Sequence, residues 1–269
     1  MRKLSVLVLG SFLLSSLAAS AQEPLPAPLA LPGSFWIAAG GVGPAEPDNT
    51  IGQAALEQGV TVWRDGSWFL VPFVGASLTT DSLGYEWNDR HPVTVGVKLQ
   101  RRMGNGVIHA GGGVMFERDP ATGRERHPTA FAGYWAGWQQ DSRAHVGGSP
   151  FALPGSVNIS SGLLTGRDPH NWMSYLTVQQ GVTAYRLKGL ATIPYGSLGV
   201  SFDTKGRPWE NRARSEAGVK LVRAITGGAI EAGVAQRFQR ELKSGRHTSA
   251  PVVFVNMWIG WNPSATALR

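Results

Sequence analysis

DSLGYEWNDR at residues 81–90 returns as DTKGRPWENR at 203–212, and the second copy decides how the chain is organised. VGVKL at 95–99 returns as AGVKL at 217–221, and FERDPATGR at 116–124 returns as FQRELKSGR at 238–246, all three pairs at an offset of 122. The same offset relates LPGS at 31–34 to LPGS at 153–156 and EQGV at 57–60 to QQGV at 179–182. FAGYWAGW at 131–138 matches FVNMWIGW at 254–261 after one inserted residue. The chain is a tandem duplication with units at 31–138 and 153–261.

Both units read as β-structure. Val93, Val95, Val97 and Leu99 alternate with Thr94, Gly96, Lys98 and Gln100, a period of two with one apolar face. The copy keeps Ala217, Val219 and Leu221 against Gly218 and Lys220. Ile108, Ala110, Gly112, Val114 and Phe116 oppose His109, Gly111, Gly113, Met115 and Glu117, and Ile230, Ala232, Val234 and Phe238 oppose Glu231, Gly233, Ala235 and Arg237. A slip of one residue would exchange the faces, so matched alternation in two copies specifies the register. A first strand is expected at 33–42, and Asp65-Gly66 as a tight hairpin into the apolar run 67–78. Pro72 and its mate Pro194 mark a bulge or an outward break, because proline has no ladder donor.

The joins alternate in length. PAEPDNT, TTDSLGYEWNDRH and RDPATGRERHP are long, whereas Asp65-Gly66 and Gly104-Asn105-Gly106 are short; TGRDPHN, DTKGRPWENR and ELKSGRHTS repeat the long series, and Leu187-Lys188-Gly189 and Thr226-Gly227-Gly228 the short one. Outer-membrane barrels have short periplasmic turns and longer external loops. The expected fold is therefore all-β: an antiparallel outer-membrane β-barrel of 12 strands, built from two tandem six-stranded units over 33–261, with a C-terminal tail at 262–269. Twelve strands leave both ends in the periplasm, and closure removes the two edges that a six-stranded unit would have to protect. A pair of soluble six-stranded domains, or a Gly-rich secreted sandwich, is the rival. Trp138 and Trp261 end the units where an indole meets a bilayer interface.

Composition agrees. Residues 1–21 carry a basic head, a short apolar core and Ala19-Ser20-Ala21, a secretory signal pattern. Residues 22–32 form a Pro-rich periplasmic lead-in. Charged residues are 16% of the chain, against roughly a quarter in soluble domains, with 35 glycines and 10 tryptophans. The absence of cysteine excludes a small disulfide-stapled fold. The net charge of +7 falls to +5 without Arg2 and Lys3, and the scattered basic residues accompany no nucleic-acid module.

The strings LPGSFW, AEPDN, EQGVTVWR, PFVGASLTTDSLGYEWNDR, VGVKLQRRMGNG, FERDPATGR and YWAGW resemble the C-terminal domain of the bacteriophage N4 adsorption protein A family, over roughly residues 31–261. The resemblance implies a β-barrel in the bacterial outer membrane, in the family set behind helical repeats and linked to exopolysaccharide export or phage adsorption. Those repeats do not precede the barrel in this sequence. The implied partners are outer-membrane lipid and, for an exporter, a polysaccharide and a periplasmic helical-repeat component supplied by another polypeptide.

Candidate functional residues fall in two sets. Asp81, Trp87 and Arg90, repeated as Asp203, Trp209 and Arg212, suit sugar stacking and hydrogen bonding in the long loops; a folded turn with the indole packed beneath an Asp/Arg pair is the alternative. Lys98, Lys220, Glu117, Glu231 and Arg237 fall on inward faces, as a polar conduit or as a self-paired plug, since intramembrane charge needs a cavity or a partner. The expected roles are a porin-like saccharide transporter or receptor-like anchor, with a non-transporting glycan- or protein-binding barrel as the alternative. An outer-membrane lipid hydrolase is a third reading: His247 and Ser249 lie two apart but lack a third orienting group. No HExxH, GxSxG, Walker A or zinc spacing occurs, so neither catalytic residues, metal nor cofactor is expected.

Overall fold

In the computed structural model, residues 30–43, 46–83, 90–119, 123–138, 152–163, 171–207 and 210–262 are described. Unit 1 contributes β1 (Gly33–Gly43), β2 (Glu46–Gly59), β3 (Trp63–Asp65), β4 (Trp68–Asp81), β5 (Val93–Met103), β6 (Gly106–Asp119) and β7 (Gly123–Trp138). Unit 2 contributes β8 (Gly155–Leu163), β9 (Trp172–Gly181), β10 (Tyr185–Leu187), β11 (Leu190–Asp203), β12 (Arg212–Ile225), β13 (Gly228–Glu241) and β14 (His247–Trp261). The short β3 and β10 continue β2 and β9 past an irregularity, so each unit supplies six staves.

Every neighbour pair is antiparallel. β14 returns to pair with β1 from Gly33↔Trp261 to Gly40↔Phe254, which closes a 12-strand barrel. The join between the units, β7 with β8, uses the equivalent register from Trp138↔Gly155 to Phe131↔Gly162. The two seams are thus related by the sequence repeat, and among the described residues only the short β3 and β10 pair on one side alone.

The alternation read from sequence sets the two faces. Val93, Val95, Val97 and Leu99 are exposed on the outer wall, while Thr94 and Lys98 are buried inside. Leu198, at 67% exposed, and Val253, at 64%, stand on that outer wall as well. A wall of exposed aliphatics around a buried, charged interior is the reverse of a soluble domain. With strand ladders joined around a closed ring, it is the arrangement that crosses a bilayer on strands. The chain is an outer-membrane β-barrel.

Two expectations need correction, and a third, the bulge marked by the prolines, is placed on the partner strand. PAEPDNT is mostly strand, because β2 already begins at Glu46, and RDPATGRERHP is likewise mostly strand, because β6 runs to Asp119 and β7 starts at Gly123. Strands of 14 to 16 residues exceed the roughly 9–11 that span hydrocarbon; their polar ends carry the ladder beyond the membrane, and composition alone reads such ends as loop. Pro72 does not interrupt its own strand, which pairs with β5 continuously through Pro72↔Val97. The irregularity lies across from it, where Gly59↔Phe73 is followed by Trp63↔Leu70, and Gly181↔Tyr195 by Tyr185↔Thr192. Proline lacks a donor but keeps its acceptor: Pro72 O takes Val60 N–H and Pro194 O takes Val182 N–H, each at 3.0 Å. The end of the lead-in joins this region, with Ala30 O accepting from Thr61 N–H at 2.8 Å.

Each seam is fastened on its outer face by the same three residues. Gly33 sits between Gln58 on β2 and Trp261 on β14 in register, and the indole Nε1–H reaches across it to Gln58 Oε1 at 3.0 Å. Gln58 Nε2–H in turn donates to Pro32 O and Gly59 O. In the copy, Trp138 Nε1–H reaches Gln180 Oε1 at 3.2 Å over Gly155, and Gln180 donates to Pro154 O and Gly181 O. A Cβ on Gly33 would stand 2.4 Å from Trp261 Nε1, and one on Gly155 would stand 2.4 Å from Trp138 Cε2. The glycine is needed for space, and the tryptophan covers the backbone that it leaves bare. Gly33→Leu should therefore push the indole off its amide at a cost of roughly 1–3 kcal/mol. It should lower the temperature at which the folded, fast-migrating band is lost in a heat-modifiability gel, whereas Leu56→Ala on the exposed wall should change it little.

Candidate functional site

The lumen is where the polar residues of the strands converge, and its two halves correspond position by position at the offset of 122, with several mates unlike. At mid-height in unit 1, Lys98 on β5 forms a buried ion pair with Glu57 on β2 and lies over the Phe73 ring at 5.2 Å. In unit 2, Lys220 on β12 lies over the Tyr195 ring at 5.5 Å. Its ammonium donates to Gln179 Oε1 at 2.8 Å and to both oxygens of Glu231 at 3.1 and 3.2 Å. Gln179 is the mate of Glu57, and Glu231 is the mate of His109. One acid serves each lysine, but from opposite sides: β2 in unit 1, β13 in unit 2. His109 packs against the Phe131 ring instead, at 6.0 Å between centroids.

Towards the outer mouth, Arg90 and Glu117 form a buried bidentate pair on unit 1. At the equivalent place Arg212 donates to Gln239 Oε1 at 3.4 Å. Arg237 on β13 is held by Glu216 at 2.6 Å and donates to Gly41 O at 3.2 Å on β1, across the closing seam. Aromatic packing fills the gaps between these groups: Phe73 meets Phe131 edge-on at 5.8 Å, and Tyr195 meets Phe254 edge-on at 6.1 Å.

All five residues read as lumenal, Lys98, Lys220, Glu117, Glu231 and Arg237, lie inside the barrel and are engaged in ion pairs. The loop set divides differently. Trp87 and Trp209 lie outside the described residues. Arg90 and Arg212, at 6% and 7% exposed, are interior groups and do not face an external ligand. Asp203 is also interior: it accepts from Asn171 Nδ2 at 2.9 Å, Asn211 Nδ2 at 2.7 Å and the Arg207 backbone N–H at 2.8 Å. It shapes the turn that carries Gly206 at φ +64°. Asp81 ends β4 opposite Ile51, at the matching point of unit 1. There Asn49 takes the place of Asn171, with Ser82 Oγ donating to Asn49 Oδ1 at 3.3 Å as Thr204 Oγ1 does to Asn171 Oδ1. The repeated Asp and Arg are parts of a folded rim. The folded-turn alternative describes these groups, and a run rich in Asp, Asn, Gly and Arg looks exposed until its partners, 32 to 34 residues away, are in view.

Residues that the sequence reading passed over are Glu57, His109, Gln179, Tyr195, Arg214, Glu216 and Glu210. Applying the offset of 122 to inward positions alone would have flagged Glu57/Gln179 and His109/Glu231 as unlike mates. His247 and Ser249 stand on the outward face of β14, exposed, opposite Arg240 and Phe238.

Glu210 is buried in the outer connection between β11 and β12, with Oε2 lacking a hydrogen-bond partner among the described residues. Burial raises its carboxyl to about 7 against the pull of Arg212, with Asp203 adding to the rise and Arg207 opposing it.

Comparison with solved structures finds outer-membrane proteins among the matches, at low identity. An outer-membrane channel from Pseudomonas putida F1 is 11% identical at a TM-score of 0.46, covering 91% of this chain and 100% of its own. LpxR from Salmonella typhimurium is 11% identical at 0.40, covering 84% and 99%. The outer-membrane channel DcaP of Acinetobacter baumannii is 8% identical at 0.35, covering 87% and 96%. No protein-family model matches the chain, and no curated protein matches it.

Two outcomes follow from the paired groups. Glu57→Gln strands Lys98 in the interior and should destabilise the barrel by roughly 3–5 kcal/mol. Adding His109→Glu writes the arrangement of unit 2 into unit 1 and should restore most of that loss in urea unfolding from detergent; a double variant no better than the single one would contradict the exchange. For Glu210, the folded barrel binds the proton more tightly than the unfolded chain, whose carboxyl titrates near 4.3. Its contribution is therefore full at low pH and is lost as pH rises through about 7. The unfolding midpoint should fall between pH 5 and 8, and Glu210→Gln should flatten that fall.

Proposed function

We propose that this barrel carries a saccharide across the outer membrane, as a relative of the C-terminal barrel of the bacteriophage N4 adsorption protein A family, and that it does so without catalysis. The observation that carries this reading is the lumen itself. At mid-lumen Lys98 pairs with Glu57, Lys220 with Glu231, and Arg237 with Glu216, while amides line the space between them. Gln53, Gln179 and Asn256 border a cavity of about 200 Å3 beside Tyr195 and Phe254. Amides with aromatic walls match a solute of hydroxyls and apolar ring faces. Ion pairs that hold each other across strands set a narrow bore that widens only when a pair gives way. A periplasmic helical-repeat component and an exopolysaccharide are the partners that the family resemblance suggests, with outer-membrane lipid around the wall.

The second reading is a plugged anchor or receptor, favoured by the clustering of Phe73, Phe131, Met173 and Tyr175 in the upper lumen. Liposome swelling separates the two. Proteoliposomes of the wild-type barrel should swell in an isotonic monosaccharide, and Glu57→Gln with Lys98→Met, which removes both halves of one ion pair, should increase the rate severalfold. No swelling from either protein, both folded by heat-modifiability, would overturn the conduit and favour the anchor.

A further inference from the structure

The duplication supplies an internal control for the charge of the lumen, and one group fails to balance. Strand β12 turns Arg212, Arg214 and Glu216 inward in succession, while β13 turns Arg237 and Gln239 inward beside them, in register Arg214↔Gln239 and Glu216↔Arg237. The five mates in unit 1 are Arg90, Pro92, Thr94, Met115 and Glu117. Unit 1 thus places one cation and one anion there, bonded to each other, whereas unit 2 places three cations and one anion. Glu216 is taken by Arg237. Arg212 has Gln239 as well as the carboxyl of the buried Glu210 at the rim. Arg214 has none of these: its Nε–H is buried without an acceptor among the described residues. A buried guanidinium donor left open costs free energy unless something arrives to fill it.

Arg214 also borders the cavity of about 200 Å3, with Arg237, Glu216, Gln53, Gln179 and Tyr195 among its other walls. Both carboxylates that reach this space are engaged, Glu216 by Arg237 and Glu231 by Lys220. The cavity is below the roughly 300 Å3 at which pockets for drug-sized ligands begin. It is of a scale for one small ring.

We propose that Arg214 anchors an anion subsite in the lumen of unit 2, which takes the carboxylate of an acidic sugar while the amides of Gln53 and Gln179 meet its hydroxyls. The guanidinium fork suits a two-oxygen acceptor. With Arg237 held by Glu216 and Arg212 by Gln239, Arg214 is the cation left open, which suits a monoanion, and a phosphate dianion would set a second negative charge beside Glu216. The inference deepens the saccharide reading above and rests on it for the sugar, while the anion site rests on Arg214 alone.

Calorimetric titration of the full-length barrel in detergent, with sodium glucuronate and with glucose as probes, tests it. Glucuronate should bind at least about tenfold more tightly than glucose, and more weakly as sodium chloride is raised. Arg214→Gln should lose roughly tenfold to a hundredfold for glucuronate, the scale of a hydrogen bond to a charged group, while Arg223→Gln on the exposed face should lose nothing. Equal binding of the two sugars, no heat with glucuronate, or affinity unchanged in Arg214→Gln would overturn the subsite. Inorganic phosphate competing as well as glucuronate would overturn the acidic-sugar assignment. Should Arg214→Gln fail to fold, Arg214→Lys keeps the charge and loses the fork; wild-type affinity in that variant, or affinity independent of salt, would overturn the proposal. Binding is read without passage, so a barrel that binds glucuronate but swells no liposome sinks the conduit and spares the subsite.

Discussion

Closure of β14 on β1 is the constraint on which the rest depends. A strand edge in hydrocarbon would expose a row of unpaired amides, each costing several kcal/mol, so the ring must close. Closing brings residue 261 against residue 33, the most distant strand pairing among the described residues. A non-local contact of this kind needs something beyond ladder bonds to select its register. Trp261 supplies it by crossing bare Gly33 to reach Gln58, which pins three strands in one stagger. Because the unit was duplicated, the same device holds β7 on β8 through Trp138, Gly155 and Gln180. A slip by one residue at either seam would break the indole bond and turn the lumenal charges into lipid.

The interior follows from that stagger. Once the register is fixed, Lys98 and Lys220 must point inward, where a lone ammonium is costly, and each finds one carboxylate within reach. The position of the acid is free as long as it can reach the lysine. Residue 57 or residue 109 in unit 1, and their mates 179 or 231 in unit 2, are equivalent answers to the same electrostatic demand. The two copies chose differently, which is why the repeat is visible in the lysines and blurred in their partners.

The strand faces, the strand number and the two-unit plan were legible in the sequence because they rest on local alternation and on the offset of 122, both one-dimensional signals. Val93 to Gln100 carries its inside and outside in eight residues, without reference to anything distant. The outer connections were not legible. Whether Glu46 to Thr50 forms strand or loop depends on the neighbouring ladder, here β1 and its irregularity between Gly41 and Gly43. The candidate site was legible by half. Lys98, Lys220, Glu117, Glu231 and Arg237 could be assigned to the inner face by parity, but pairing is a property of neighbouring strands. Asp203 and Arg212 read as ligand contacts or as parts of a folded turn, and local sequence left both open because their partners, Asn171 just before β9 and Gln239 on β13, lie far along the chain.

The comparison of the two halves bears on what the lumen can do. A barrel with identical halves would have a lumenal field symmetric about its axis, attracting no solute to one side over the other. Here unit 1 is neutralised by close pairs, Lys98 with Glu57 and Arg90 with Glu117, whereas unit 2 carries Arg212, Arg214 and Arg237 against a single lumenal acid at the same level. In a low-dielectric bore such an imbalance is screened little, so the field points across the lumen away from β12 and β13 and draws an anion towards them. A neutral sugar would meet amides and rings all round, and a sugar bearing a carboxylate would be drawn to one wall. The asymmetry between two copies of one sequence, more than the barrel itself, sets the direction from which a solute is held.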